Sequence, residues 1–261
     1  VPESWIGQCC INVTDIDASV AFYEALGLTC TSRTQIDTAG EAILEHPDKG
    51  GKVQLAQQNE APATFDPGNA FWKLYVNTND IGALHAAGLG AGAEEVMAPM
   101  RMEQWPTSIS FVKERDGYLV ELVQRHPWQD GDDTTTAWLG QYCVNVTDLD
   151  ATVSFYETLG LRCTSRTSIP GTEEAILEHP GKGGKVQLAQ HEEQEGPIVM
   201  GSAMWKLYVN TDDIAAVHQA AVDAGHRSTM DPTRLDRWPV TVGFVEDPDG
   251  YSVELVQRHP W

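Results

Sequence analysis

The first apolar run, Ile6 to Val13, is rich in β-branched and small residues and predicts a strand. Thr14-Asp15 then offers a helix N-cap. Ile16, Val20, Tyr23 and Leu26 follow with helical spacing, and Gly27 stands where a C′ glycine belongs. Three short strands come next, at Leu28 to Arg33, Glu41 to Leu44 and Lys52 to Ala56; the last two are joined through Pro47 and Gly50-Gly51. This makes one βαβββ module. After a Pro/Gly loop from Asn59 to Asn69, a second module starts with a strand at Trp72 to Val76. Asp80 caps a helix over Ile81, Leu84 and Leu89. Strands around Ile109 to Val112 and Tyr118 to Val123 close it, with Lys113 to Gly117 as the turn between them.

The whole pattern then repeats at an offset of 133 residues, Trp138 answering Trp5. Trp5-Ile6-Gly7-Gln8 returns as Trp138-Leu139-Gly140-Gln141. Ala42 to Pro47 and Lys49 to Gln57 return unchanged at Ala175 to Pro180 and Lys182 to Gln190. Trp72 to Thr78 returns at Trp205 to Thr211, and Glu121 to Trp128 returns at Glu254 to Trp261. Such self-similarity predicts two tandem lobes. Lobe one is placed at 1–125, with modules at about 5–58 and 70–125. The polar, Pro- and Gly-containing stretch 126–137 reads as a linker. Lobe two is placed at 138–261, with modules at about 138–191 and 203–259. The expected class is α+β: four βαβββ modules whose curved mixed sheets enclose clefts.

Composition narrows the function. In 261 residues there are 38 acidic and 17 basic side chains, a formal net charge of −21. That surface repels phosphate backbones and anionic lipid, so no nucleic-acid or membrane partner is expected, and a cationic ligand is weakly favoured. No apolar run reaches the ~18 residues of a membrane span, and Val1 to Trp5 does not resemble a signal peptide. The five cysteines (Cys9, Cys10, Cys30, Cys143 and Cys163) are odd in number and lack C-x-x-C spacing. Free thiols in a cytoplasmic compartment follow, without structural zinc.

Four features now carry a resemblance: N-V-T-D-[IL]-D closing the first strand, a helix ending F-Y-E-x-L-G-L, the F-V-E-D-P-D-G-Y-x-V-E-L ending at 244–255, and the four-module length. Together they resemble the glyoxalase/bleomycin-resistance/extradiol-dioxygenase (vicinal oxygen chelate) superfamily over nearly the whole chain. The resemblance implies a two-module dimer fused into one polypeptide. In metal-using members four strand positions ligate one divalent ion. The matching positions are read here as Gln8, Gln54, Phe71 and Glu121 in lobe one, and Gln141, Gln187, Met204 and Glu254 in lobe two. Two amides, an aromatic or thioether and one carboxylate make a poor donor set, so no cofactor is expected, a divalent metal being the less favoured alternative.

Strand alternation supplies the rest of the expected lining. With Gln8 go Cys10 and Asn12; with Phe71 go Lys73 and Tyr75; the lobe-two counterparts are Cys143, Asn145, Lys206 and Tyr208. Trp105 and Trp238 lie in loops that could cover an apolar ligand. Glu121 and Glu254 are the candidate general bases: a carboxylate among apolar strand neighbours has its pKa raised. The plain alternative is an ion pair with Lys73 or Lys206. Cys10 and Cys143 lack a neighbouring histidine and read better as packed thiols. His46, His179, His126 and His259 read as surface or hinge residues. Trp72 and Trp205 fall on the strand face opposite the lysines and are expected in the core. The pairing of modules is open. Dimeric glyoxalases would bring Gln8 and Gln54 to Met204 and Glu254, whereas in other members modules of the same lobe face each other. Three functions follow: a small-molecule-binding protein holding an antibiotic or metabolite, a metal-independent isomerase or lyase using Glu121 and Glu254, or a metal-dependent glyoxalase-like lyase. A single chain suffices for any of them, with a homodimer left open.

Overall fold

A computed structural model describes residues 2–60, 64–127 and 136–260. The linker expected at 126–137 falls mostly on 128–135, outside the described residues. Module one runs β1 (Ser4–Asn12), α1 (Ile16–Ala25), β2 (Thr29–Gln35), β3 (Ala39–His46) and β4 (Lys49–Gln58). Module two runs β5 (Phe71–Thr78), α2 (Ile81–Gly90), β6 (Glu94–Arg101), β7 (Thr107–Lys113) and β8 (Leu119–Arg125). Module three runs β9 (Ala137–Asn145), α3 (Leu149–Thr158), β10 (Arg162–Ile169), β11 (Thr172–His179) and β12 (Lys182–His191). Module four runs β13 (Met204–Thr211), α4 (Ile214–Asp223), β14 (Ser228–Arg234), β15 (Val240–Glu246) and β16 (Ser252–Arg258). None of the described helices is long and apolar enough to cross a membrane.

Each helix starts where the sequence placed a cap. Asp15, Asp80, Asp148 and Asp213 accept hydrogen bonds from the backbone N–H three residues on, at 2.9–3.1 Å. Gly27, just past α1, has φ +80°, a conformation that side chains with a Cβ resist. Two strands escape the hydrophobic pattern. β6 and β14 lie at the two ends of the sheet path, are largely exposed, and contain Pro99 and Pro232. An edge strand pairs on one side only, so it needs neither an apolar face nor every N–H.

The order of strands decides how the modules meet. β1 pairs antiparallel with β13, and β5 pairs antiparallel with β9. Module one therefore shares a sheet with module four, and module two with module three. The two phenols Tyr118 and Tyr251 fasten the crossing. Tyr251 Oη donates toward Ala70 O at 2.7 Å and Asn145 O at 2.6 Å, and Tyr118 bonds the matching carbonyls of Asn12 and Ala203. Both halves contribute to one continuous apolar core, in which Ile6, Tyr23, Leu74, Tyr142, Phe155 and Leu207 are fully buried.

The two turns before the closing strands of each half differ in one buried acid. Glu114 accepts from Ser19 Oγ and Asp116 N, each at 2.7 Å. Its shorter counterpart Asp247 accepts from Tyr251 N and Asp249 N, which leaves Oδ2 buried with no hydrogen-bond partner. Burial pushes the Asp247 carboxyl up to about 7, against the pull of its backbone hydrogen bonds. A carboxyl raised on folding holds a proton that the unfolded chain releases near its ordinary value. Its stability contribution is thus present at acid pH and lost as pH rises toward 7. Asp247→Asn keeps one acceptor oxygen and removes the titration. The expected result, read by calorimetry, is a melting temperature above wild type by on the order of 5 °C at pH 8 and close to wild type at pH 4. An equal shift at both pH values would contradict the assignment.

Candidate active site: two clefts built across the lobes

Strand register brings the polar residues together. In the first cleft, Tyr75 of β5 stands beside Glu121 of β8 on one side and Gln141 of β9 on the other. On the next strand, Gln187 of β12 pairs beside Cys143 of β9. In the second cleft, Tyr208 of β13 stands beside Glu254 of β16, and Lys206 stands opposite Cys10 of β1, which in turn pairs with Gln54 of β4. Each cleft thus takes its central lysine, tyrosine and glutamate from one lobe and a bonded pair of glutamines from the other. The hollows measure about 500 and 590 Å³, the size that holds a small organic molecule.

The centre of each cleft is an ion pair. Lys73 Nζ lies 2.9 Å from Glu121 Oε2, and Lys206 Nζ lies 2.8 Å from Glu254 Oε2; all four side chains are nearly buried. Aromatic faces surround each ammonium. The ring centroids of Trp72, Tyr75 and Phe111 lie 3.9, 4.8 and 5.6 Å from Lys73 Nζ, and Trp205, Tyr208 and Phe244 stand similarly around Lys206. Glu121 Oε2 and Glu254 Oε2 are at ion-pair distance from the lysines, are themselves buried, and have no well-directed hydrogen bond. Gln141 Nε2 donates to Gln187 Oε1, and Gln8 Nε2 donates to Gln54 Oε1. Burial pushes the Tyr75 and Tyr208 phenols well above their ordinary range, which keeps both as neutral donors. At the mouths, Trp105 and Trp238 are 43% and 37% exposed, unusual for indoles, and they line the clefts they border.

Several residues expected in the lining are elsewhere. Cys10 and Cys143 are fully buried beneath the cleft floor, and burial raises both thiols well above the ordinary cysteine value. Asn12 and Asn145 spend their amides on the backbone carbonyls of Ser202 and Asn69. Phe71 packs edge-on against Tyr118 with ring centroids 5.7 Å apart, and Met204 is buried in the core. The residue that faces the glutamate is two positions later, Lys73 or Lys206. Trp72 is not in the core: it lines the first cleft, with Lys73 over its ring. Glu121 and Glu254 sit in ion pairs rather than among apolar neighbours alone.

Sequence reasoning missed two carboxylates. Glu174 lines the first cleft and Glu41 the second. Burial raises both above the ordinary glutamate value, opposed by the nearby Lys73 or Lys206 charge. The signal was present, because Glu41 alternates with the buried Ala42 and Leu44, which puts it on the cleft face with Ile43.

Paired βαβββ modules with a polar-centred, aromatic-mouthed cleft on each side define a class of small-molecule-handling proteins. The chain belongs to the Glyoxalase/Bleomycin resistance protein/Dioxygenase superfamily, whose sequence model matches residues 5–122 and again 138–255. It is 24% identical to a lactoylglutathione lyase of Arabidopsis thaliana, over 95% of this chain and 89% of that one. A probable lactoylglutathione lyase of Vibrio parahaemolyticus is 31% identical over 44% of this chain and 86% of its own length, about one lobe. The crystal structure of glyoxalase I from Zea mays superposes with a TM-score of 0.84 at 23% identity, covering 98% of this chain and 93% of that one.

These relatives overturn the expectation that no cofactor is needed. They are named for the lyase activity that the resemblance ties to a divalent metal. The side chains at the two cleft centres, however, do not form a ligand set for such an ion. Each carboxylate is engaged by an ammonium, each pair of amides is bonded to itself, and no three His, Cys, Asp or Glu cluster to hold a metal among the described residues. Zinc and its neighbours require several anionic or nitrogen donors.

Proposed function

We propose that the chain is a glyoxalase-type lyase or isomerase that moves a proton next to a carbonyl group, with each cleft a separate site. The observation that carries this reading is the buried Lys–Glu pair at each cleft centre. A substrate carbonyl oxygen fits against the ammonium, with the glutamine amides and the tyrosine phenol as further donors. The glutamate takes a proton from the adjacent carbon. The C–H electron pair moves into the carbonyl to give an enolate oxygen, which the ammonium stabilises. Return of that proton to the former carbonyl carbon, with the hydroxyl proton of the deprotonated carbon passing to the enolate oxygen, completes the isomerisation of an α-hydroxy carbonyl compound with no net oxidation and no co-reactant. Glu174 or Glu41, raised by burial, offers a second group to relay that proton. The apolar body of the substrate lies under Trp105 or Trp238, which closes off water.

Similarity to lactoylglutathione lyases supports a thiol-adduct substrate for this chemistry. The direct test is an assay for lactoylglutathione formation by the purified chain, with and without added nickel or zinc. Turnover above background supports the reading. Saturable binding of the product with no turnover under either condition would instead favour sequestration. That alternative draws on the closed amide pairs and the engaged carboxylates, which hold a ligand without needing to react with it.

A further inference from the structure

The chain has seven lysines, and four of them meet in one place outside the two cleft centres. The segment Lys49-Gly50-Gly51-Lys52 opens β4, and Lys182-Gly183-Gly184-Lys185 opens β12. The glycines explain the convergence. A Cβ on Gly51 would lie 2.5 Å from Tyr142 Oη and 3.3 Å from Gly184 Cα; one on Gly184 would lie 2.7 Å from the same phenol and 3.2 Å from Gly51 Cα. Only two bare backbones can touch there. Their contact sets the flanking lysines around a common hollow of about 850 Å³.

The hollow is built of donors. Five cationic side chains, the four lysines and Arg258, line it with three carboxylates, whereas the whole chain has 17 basic against 38 acidic residues. Lys52, Lys185 and Lys182 pair with Glu45, Glu178 and Glu3 at 2.5, 2.8 and 2.7 Å, yet these lysine side chains are 44%, 44% and 40% exposed. An ammonium has three N–H donors, so one ion pair leaves two free to face the hollow. His46 Nδ1 accepts from Asp48 N at 3.1 Å, and His179 Nδ1 accepts from Gly181 N at 3.0 Å. With Nδ1 as the acceptor, the neutral ring keeps its proton on Nε2, and both histidines line the hollow. Clustered point-charge donors of this kind suit a compact, multiply charged oxyanion, and lysine is a common binder of phosphate. The hollow also shares Gln8, Ile43 and Arg258 with the second cleft.

We propose that the hollow between the two Lys-Gly-Gly-Lys segments binds the phosphate group of a phosphorylated small molecule, whose remainder extends past Gln8 toward the second cleft. The proposal does not depend on the proton-transfer chemistry of the cleft centres. It reverses locally what the net charge suggests, since five cationic side chains line this hollow against three carboxylates.

Isothermal titration of the full chain with inorganic pyrophosphate tests it. The expected result is one saturable site per chain with a Kd below about 1 mM at low salt. Lys52→Gln/Lys185→Gln should raise that Kd at least about tenfold, by removal of two charge-assisted contacts. Lys113→Gln, a lysine outside the hollow, should leave it unchanged. Should the double variant melt far below wild type, Lys49→Gln carries the same comparison. Three results would overturn the proposal: no saturable binding below 1 mM, the same weakening in Lys113→Gln, or citrate binding as tightly as pyrophosphate, which would mark a carboxylate site.

Discussion

Lys73→Ala is expected to lower unfolding stability by about 3–5 kcal/mol, the largest effect of any single substitution in the clefts. The reason is not the strength of the ion pair itself. A pair taken out of water returns little net stability, but removing one partner leaves the other charge buried and uncompensated. Glu121 is nearly buried, and Lys73 supplies its ion-pair partner. For a chain of this size the loss corresponds to a fall in melting temperature of roughly 10 °C. The companion variant Lys73→Met/Glu121→Leu removes both charges and fills the space with apolar atoms. It should recover most of the lost stability while leaving the first cleft unable to hold a carbonyl ligand. Lys206→Ala should behave alike, because Glu254 is held in the same way. If Lys73→Ala unfolds within about 1 kcal/mol of wild type in urea, the glutamate is neutral or solvated, and the ion pair is not the centre of the site.

The second large effect falls on turnover. Glu121→Gln/Glu254→Gln preserves the size of both side chains and removes both bases. Under the proposed chemistry kcat for lactoylglutathione formation should fall by about a hundredfold or more, with KM little changed, since the lost interaction belongs to proton transfer. Each single variant should keep the activity of the cleft it leaves intact, because the two ion pairs lie in separate hollows. If the double variant turns over at the wild-type rate, the base is another group, and Glu174 and Glu41 become the residues to replace.

Much of this architecture was legible in the sequence. The 133-residue repeat, the Asp caps and the C′ glycine are enough to set out four βαβββ modules. Pairing of module one with four and two with three was not legible. It depends on which edge of β1 and β5 is left for a partner, and alternation along a strand says nothing about that.

At the site, alternation sets the face a residue takes but not how deep it lies or which neighbour claims it. Cys10 does lie on the cleft-side face, since it pairs with Lys206 of β13 and Gln54 of β4. Its neighbours Ala39, Ala56 and Tyr208 cover the short thiol, while the longer Gln8 reaches the cleft. Phe71 and Lys73 lie two residues apart, so the period of a strand cannot choose between them. The choice is made by Tyr118, whose ring claims Phe71, and by Glu121, which claims Lys73. Net charge is likewise a coarse guide to any one place on the surface. A net of −21 describes the average surface and not the hollow where four lysines converge.

The central claim is that a ligand is gripped by a buried ammonium–carboxylate pair contributed by one lobe, with glutamine amides contributed by the other. The most direct measurement is a crystal structure of the chain soaked with lactoylglutathione in the presence of nickel or zinc. The account predicts a ligand oxygen about 3 Å from Lys73 Nζ in the first cleft and from Lys206 Nζ in the second. A ligand bound outside both clefts, or a cation coordinated by Glu121 with the lysine turned away from it, would contradict that claim.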